Sequence, residues 1–362
     1  MSVTQDQIST AIAAVINPYL EIDLVAAGAV RAINVEDNAV RIEIELGFPV
    51  KRYAAELENT LRPLIAALGE NLEIEFDIRG KVAAHAVQHG AKRLSEVRNI
   101  IAVASGKGGV GKSTTATNLA LALRSEGAKV AILDADIYGP SQPRMLGAQG
   151  KPESRDGKSM EPIVSYGIQS MSIGNLIEED TPMIWRGPMV TGALEQLLND
   201  TNWKDVDYLV IDLPPGTGDI HLTLCQKIPV SGAVIVTTPQ DIALLDARKA
   251  LKMFEKVEVP VLGIIENMSV HICTSCGHED HIFGTGGGES MAQQYGVDLL
   301  GALPLDTAIR KGMDSGKPIV ALQPDSRPSQ MYCEIARRIA GKLGLRAKDY
   351  SAKFPKIVVQ NN

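Results

Sequence analysis

Residues Ser105 to Thr114 read SGKGGVGKST, in which Gly106, Gly111, Lys112 and Ser113 satisfy the spacing G-x-x-x-x-G-K-[ST]. Gly106, Gly108, Gly109 and Gly111, with Val110 among them, allow successive backbone N–H groups to turn inward. With the N-terminus of a following helix they form an anion cradle suited to the α- and β-phosphates of a nucleotide. Lys112 can reach β- and γ-phosphate oxygens, Ser113 can offer its hydroxyl to Mg2+, and Thr114 can hydrogen-bond the α-phosphate. Lys107 is surplus to the pattern. Two ammonium groups need not crowd one phosphate tail. The other reading has Lys107 point across a two-fold axis and neutralise charge on a partner's nucleotide, as an arginine finger does. Spacing leaves both readings open.

Carboxylates follow in the order such a site needs. Asp134 and Asp136 end the run KVAILDAD and, two apart, can both face the phosphates, Asp134 through a water on Mg2+. Asp212 closes YLVID, the Walker B arrangement for Mg2+. Pro214-Pro215-Gly216-Thr217-Gly218 then makes a loop able to sense a γ-phosphate.

Four cysteines occur: Cys225, Cys273, Cys276 and Cys333. Cys225, in HLTLCQKI, is apolar-flanked and reads as a core or helix residue, and Cys333, in MYCEIARRI, reads as helical. Cys273 and Cys276 form CTSC, half of a tetrahedral thiolate site. A second copy of the chain supplies the other half in one reading, giving four thiolates for zinc or a [4Fe–4S] cluster. Nearby His271, His278 and His281 keep zinc in contention, and a redox dithiol is the third option.

The elements that must hold these residues divide the chain near residue 95. Residues 1–82 alternate two helical patterns with three strands, read as a small α+β domain of helix and antiparallel strand. Residues 83–98 read as a tether, partly helical, with His85 and His89 solvated. From 99 to 345, near-continuous apolar runs such as NIIAVA alternate with helical patterns. That predicts an α/β fold with a doubly wound, mostly parallel sheet, whose ligands bind at the carboxyl ends of strands. Every motif above except the cysteine pair falls at such an end. FGTGGG at 283–288 lacks a G-K-[ST] and is a turn or close approach. Trp185 and Arg186 are a partner contact or packed side chains, and 346–362 reads as a tail.

The 362 residues carry a net charge of −7 and a pI near 5.5, which disfavours a general nucleic-acid binder. No apolar run is long enough to span a bilayer. The tail lacks the amphipathic basic helix of a membrane-cycling ATPase. A cytoplasmic protein with free thiols is expected.

Together KGGVGKST, LDADIYGPSQPRMLG, IDLPPGTGD, ENMS with CTSC, and FGTGGG resemble the Mrp/NBP35 family of deviant-Walker P-loop ATPases (SIMIBI type), related to MinD/ParA proteins and nitrogenase iron protein. The resemblance spans roughly residues 95–345. The N-terminal part resembles a MIP18-like domain, departing from it where Asn17-Pro18-Tyr19 replaces Asp-Pro-Glu. The resemblance implies a weakly ATP-hydrolysing homodimer that carries a bridging [4Fe–4S] cluster to apo-proteins alongside the cluster assembly machinery. It implies that Lys107 contacts the partner's nucleotide, that Asp136 is tied to hydrolysis, and that Asn267 reads adenine. Pro304 to Asp306 then close over the base. The competing class is a positioning or partitioning ATPase with structural zinc at the cysteine pair; it is expected to show a basic amphipathic tail or a basic surface, and by itself it does not explain the C-x-x-C.

Overall fold

Thr4 accepts the Gln7 N–H while the Gln7 side chain returns to the Thr4 N–H, and this reciprocal cap starts α1 (Gln5–Ala13). The computed structural model describes residues 3–88, 91–177, 187–273 and 275–346. After α1 come β1 (Val30–Glu36), β2 (Ala39–Leu46), α2 (Tyr53–Ala66) and β3 (Glu73–Gly80). The turn between β1 and β2 places Asp37 at φ 52°. α2 runs through Pro63 without ending. β1 and β2 pair antiparallel, but β2 and β3 pair parallel. The antiparallel expectation fails because α2 is a crossover, which returns the chain in its original direction.

The connector does not behave as a solvated tether. Its described residues form no helix, and His85 is buried, its backbone N–H and Nδ1 both on Asn99 Oδ1, at 3.1 and 2.9 Å. Buried Gln88 donates to the carbonyls of Cys225 and Ile228. Backbone stripped of water needs partners, and these two side chains find them on the larger unit. His89 lies outside the described residues.

The larger unit runs β4 (Val97–Ala104), α3 (Lys112–Ser125), β5 (Val130–Asp134), α4 (Gln142–Met145), β6 (Ile163–Ser165) and β7 (Ile168–Ser172). It continues with α5 (Gly187–Asn199), β8 (Val206–Asp212), α6 (Asp219–Lys227), β9 (Gly232–Thr237), α7 (Asp241–Lys256) and β10 (Val261–Glu266). Last come β11 (His271–Ile272), β12 (Glu279–Asp280), α8 (Gly287–Tyr295), β13 (Leu299–Ala302), α9 (Thr307–Asp314), α10 (Ile319–Leu322) and α11 (Arg327–Gly344). Eight strands form one sheet in the order β13-β10-β9-β4-β8-β5-β7-β6. Within that sheet, among the described residues, only β6, at the edge, pairs antiparallel. β6 and β7 were not foreseen, because their short polar-interrupted runs carry little strand signal. Trp185 and Arg186 lie outside the described residues, as does the tail from 347.

Alternation along each strand feeds two cores. Ile101 and Val103 of β4 face one, Ile100, Ala102 and Ala104 the other. The first core is continuous with the N-terminal unit, joining Ile12, Ile42 and Leu61 to Leu119 of α3 and Ile339 of α11.

A buried charge cluster locks that junction. Arg337 of α11 donates to Glu126 at the end of α3 (2.8 Å) and pairs both oxygens of Glu56 of α2 (2.8 and 2.9 Å). Its guanidinium also lies over the rings of Tyr19 and Tyr53, at 5.5 and 5.2 Å. The second Glu126 oxygen accepts the N–H groups of Arg52 and Tyr53, capping α2 from another domain. Tyr19, one of the residues that depart from the related pattern, is thus an interface residue. Asn17 is buried and donates to the Tyr53 hydroxyl at 2.9 Å. Burial pushes the Tyr53 phenol up to about 12.

Arg337→Ala leaves Glu126 buried without its counter-charge, so stability is expected to fall by about 3–5 kcal/mol. Urea unfolding measures the loss, and faster protease cutting within 83–98 reports release of the N-terminal unit. Unchanged values for both contradict a structural role for this cluster.

Candidate nucleotide and thiolate sites

β4 delivers the chain at Ala104 into the loop, and α3 begins at Lys112 behind Gly111, whose φ of 82° only glycine adopts readily. A Cβ at Gly106 would run into the Asp246 backbone of α7, and one at Gly111 into the Asn267 side chain. The loop is therefore clamped between α7 and the end of β10. Asn267 Nδ2 donates to the Val110 carbonyl at 2.8 Å.

Lys112 is buried and forms an ion pair with Asp212, which is fully buried at the end of β8. Lys112 Nζ also donates to Ser113 Oγ at 3.1 Å. Lys107 is half-buried and makes no ion pair among the described residues. Sequence reasoning missed Gln142, which is fully buried. Its amide donates to the other Asp212 oxygen (3.0 Å) and to the Ser113 carbonyl (3.2 Å), while its Oε1 accepts from Thr117 (2.7 Å). Its signal, a glutamine after IYGPS, has no general chemical meaning without the fold.

Asp134 stands opposite Asp212 on neighbouring β5. Its carboxylate accepts the N–H groups of Ser141 (2.9 Å) and Gln142 (3.0 Å), the Asp136 N–H (3.2 Å) and the Ser172 hydroxyl (3.1 Å). Asp134 thus shapes the 134–142 loop that carries Asp136 and Gln142. Burial first, then the Asp212 carboxylate, holds the Asp134 carboxyl up at about 7. Burial also raises the half-exposed Asp136, opposed by the Lys112 charge.

The loop after Asp212 is tied to the phosphate loop by the Gly216 N–H on the Ser105 carbonyl, at 3.1 Å. His221, also missed, donates from Nε2 to the Pro214 carbonyl at 2.8 Å and closes this loop onto α6. Burial depresses its imidazole. Its position just past IDLPPGTGD was the available signal.

β11 and β12 form a two-stranded hairpin with Cys273 and Cys276 in its turn. The Cys273 N–H donates to the His278 carbonyl (2.9 Å) and the Gly277 N–H to the Cys273 carbonyl (2.8 Å). Cys276 is exposed and Cys273 half-buried. N–H groups of Cys276 and Ser275 hold the Cys273 thiol below its ordinary value, which favours the ligating thiolate. Thr274, between them, lies outside the described residues. Cys225 and Cys333 are buried, and burial pushes the Cys225 thiol up to about 12. His271 and His281 spend Nδ1 on the carbonyls of Leu305 (3.1 Å) and Ser269 (2.9 Å). Among the described residues no three His, Cys, Asp or Glu side chains gather to hold a metal ion.

Pro304 and Asp306 line a cavity of about 430 Å³ that is lined also by Ile272 and Glu279 of the cysteine hairpin and by His281 just after it. Asp306 also caps α9 through the Ala308 N–H at 2.6 Å. Asn267 faces the phosphate loop instead. Gly286, at φ 71°, makes the turn into α8.

A phosphate loop backed by a buried lysine–carboxylate pair thus sits on the eight-stranded sheet, and the cysteine hairpin, a separate two-stranded sheet, follows β10 of it in the chain. Residues 96–340 match a model of the NUBPL iron-transfer P-loop NTPases. This chain belongs to that family. Residues 5–76 match a second model, that of an iron–sulfur cluster assembly protein. The iron–sulfur cluster carrier protein of Escherichia coli K12 is 50% identical over 328 residues, covering 90% of this chain and 89% of the relative. The iron–sulfur cluster transfer protein NUBPL of Mus musculus is 52% identical over 254 residues, covering 70% of this chain and 80% of its own. Among solved structures, an ADP-bound nucleotide-binding protein of Archaeoglobus fulgidus is 39% identical, with a TM-score of 0.55, covering 62% of this chain and 89% of that one. No described helix is long and apolar enough to cross a membrane.

Proposed function

We propose that this chain is a nucleotide-dependent carrier of iron–sulfur clusters, working as a homodimer that hydrolyses ATP slowly. The observation that carries the reading is the CxxC hairpin, with Cys276 exposed and the Cys273 thiol held low, two thiols where a [4Fe–4S] cluster takes four. Cys273 and Cys276 of two copies supply four thiolates to one [4Fe–4S] cargo. The cluster is received from assembly machinery and passed to apo-proteins. The family membership and the carrier names of the relatives support this over a positioning ATPase with structural zinc.

The loop from Gly106 to Thr114 cradles the phosphates of ATP or ADP, and Lys112 moves from Asp212 to the β- and γ-phosphates. Ser113 and Asp212 suit Mg2+, a hard cation that takes oxygen donors, with Asp134 shaping the adjoining loop. Bound there, Mg2+ neutralises charge on the phosphates. Asp136 assists hydrolysis, Lys107 acts on the partner's nucleotide, Asn267 reads the base from its place against the phosphate loop, and Pro304 and Asp306 close over it. A readily exchanged cargo needs a switch, so a slow hydrolase suffices.

Anaerobic reconstitution with iron and sulfide, followed by transfer to an apo-enzyme that needs a [4Fe–4S] cluster, tests the reading. About one cluster per two chains is expected, with activity restored in the recipient. A site that takes zinc and refuses iron sinks it.

A mixed dimer tests Lys107. One subunit carries Lys107→Ala, the other Asp136→Ala. Action in trans leaves one complete site and about half the wild-type hydrolysis rate. Action within the chain leaves neither site complete and no activity.

A further inference from the structure

α7 turns one stripe of residues three and four apart to solvent: Ile242, Leu245, Lys249, Lys252 and Lys256. Its apolar end is unusually open, with Ile242 68% and Leu245 53% exposed. Beside its basic end lies a groove of about 500 Å³. Thr217 and Gly218, from the loop after Asp212, line it together with Leu222 of α6. Arg248, Lys249, Lys252 and Lys256 of α7 line it too, and among the described residues every ionisable side chain lining the groove is a cation. Among the described residues the buried Arg248 Nε has no hydrogen-bond partner. Lys249 and Lys252 pair along their own helix with Asp246 (2.9 Å) and Glu255 (2.8 Å). Such exposed pairs contribute little and exchange readily for an incoming carboxylate.

We propose that this groove docks an acidic segment of a partner protein, with its carboxylates on the four cations and an apolar residue against Ile242 and Leu245. The chain carries −7 overall, so long-range repulsion elsewhere steers an acidic segment to this face. The apolar pair and the interspersed Asp246 and Glu255 suit a peptide better than a continuous row of phosphates. Because Thr217 and Gly218 belong to the loop that follows Asp212, docking strength follows the nucleotide; this second part rests on the ATP-site reading above.

The test uses the full-length homodimer and a fluorescent 14-residue peptide of Glu, Asp and Leu, read by anisotropy. Lys252→Glu with Lys256→Glu should weaken binding by roughly tenfold or more, while hydrolysis rate and melting temperature stay unchanged. A peptide with Lys in place of its acidic residues should bind the double variant in preference to wild type. In wild type, exchanging ADP for a non-hydrolysable ATP analogue should shift affinity by about threefold or more, and Lys112→Ala should remove that shift but not the docking. Peptide binding that ignores the charge reversal overturns the proposal. So does loss, on reversal, of binding to single-stranded DNA or anionic phosphatidylglycerol vesicles where wild type fails to prefer the acidic peptide. Dissociation of the homodimer by the same reversal assigns the face to a second copy and overturns it too. Docking with equal affinity in both nucleotide states overturns the gating alone. A wild-type chain that binds no nucleotide fails the ATP-site reading, and the charge reversal still decides the docking.

Discussion

Serine at either Cys273 or Cys276 takes cluster loading from about one per two chains to essentially none, because a dimer of the variant offers two thiolates where four are needed. Iron and sulfide analysis after anaerobic reconstitution reads the loss. The fold should survive, since the hairpin turn is held by backbone bonds from Cys273 to His278 and from Gly277 to Cys273 that need no thiol. Alanine at Cys225 should leave loading intact. Its thiol is buried in α6 with its pKa raised by desolvation, so it is neither accessible nor ready to ligate. Melting temperature separates the two kinds of variant. The Cys225 change lowers it through a core cavity, and the hairpin changes barely move it. Full cluster loading in a chain lacking Cys276 contradicts the bridging site.

Lys112→Ala should lower magnesium-dependent ATP hydrolysis by about 10²–10³-fold, the usual cost of removing a preorganised group from developing phosphate charge. Lys112 is placed for this role by its position at the first turn of α3 behind Gly111. The substitution also strips Asp212 of its counter-charge next to Asp134, in the interior at the ends of β8 and β5. Burial already raises the Asp134 carboxyl, so its protonated form is favoured in the fold, and the folded chain loses stability as pH rises through its raised pKa. Assays at a temperature well below unfolding separate the two effects. Phosphate release that continues at the wild-type rate in the Lys112 variant removes the loop from the mechanism.

Much of this protein is legible without coordinates. The phosphate loop, the carboxylates at strand ends and the CxxC pair are local in sequence, and each has a chemical meaning at its own spacing. The parallel sheet is also legible, since strands buried on both faces read as unbroken apolar runs between helical patterns. Where the reading fails, the cause is contact between distant segments. His85 was read as solvated because two histidines in a polar stretch carry no apolar signal. It is buried because Asn99 waits for it on β4. The β2–β3 pair was read as antiparallel because strand direction depends on the path of α2, not on the strand's own residues.

The sequence by itself determines the chemistry available: one phosphate cradle, its carboxylates and half of a thiolate site. Backbone geometry at glycines and the donor sets of Lys, Ser, Asp and Cys are properties of short segments, so short segments reveal them. Only the tertiary structure decides which groups meet. Gln142 reaches Asp212 across 70 residues, and Arg337 reaches Glu126 across 211. Each of these side chains is buried, and a buried polar group must be satisfied wherever the fold brings a partner. The sheet order sets that partner, and no local pattern encodes it.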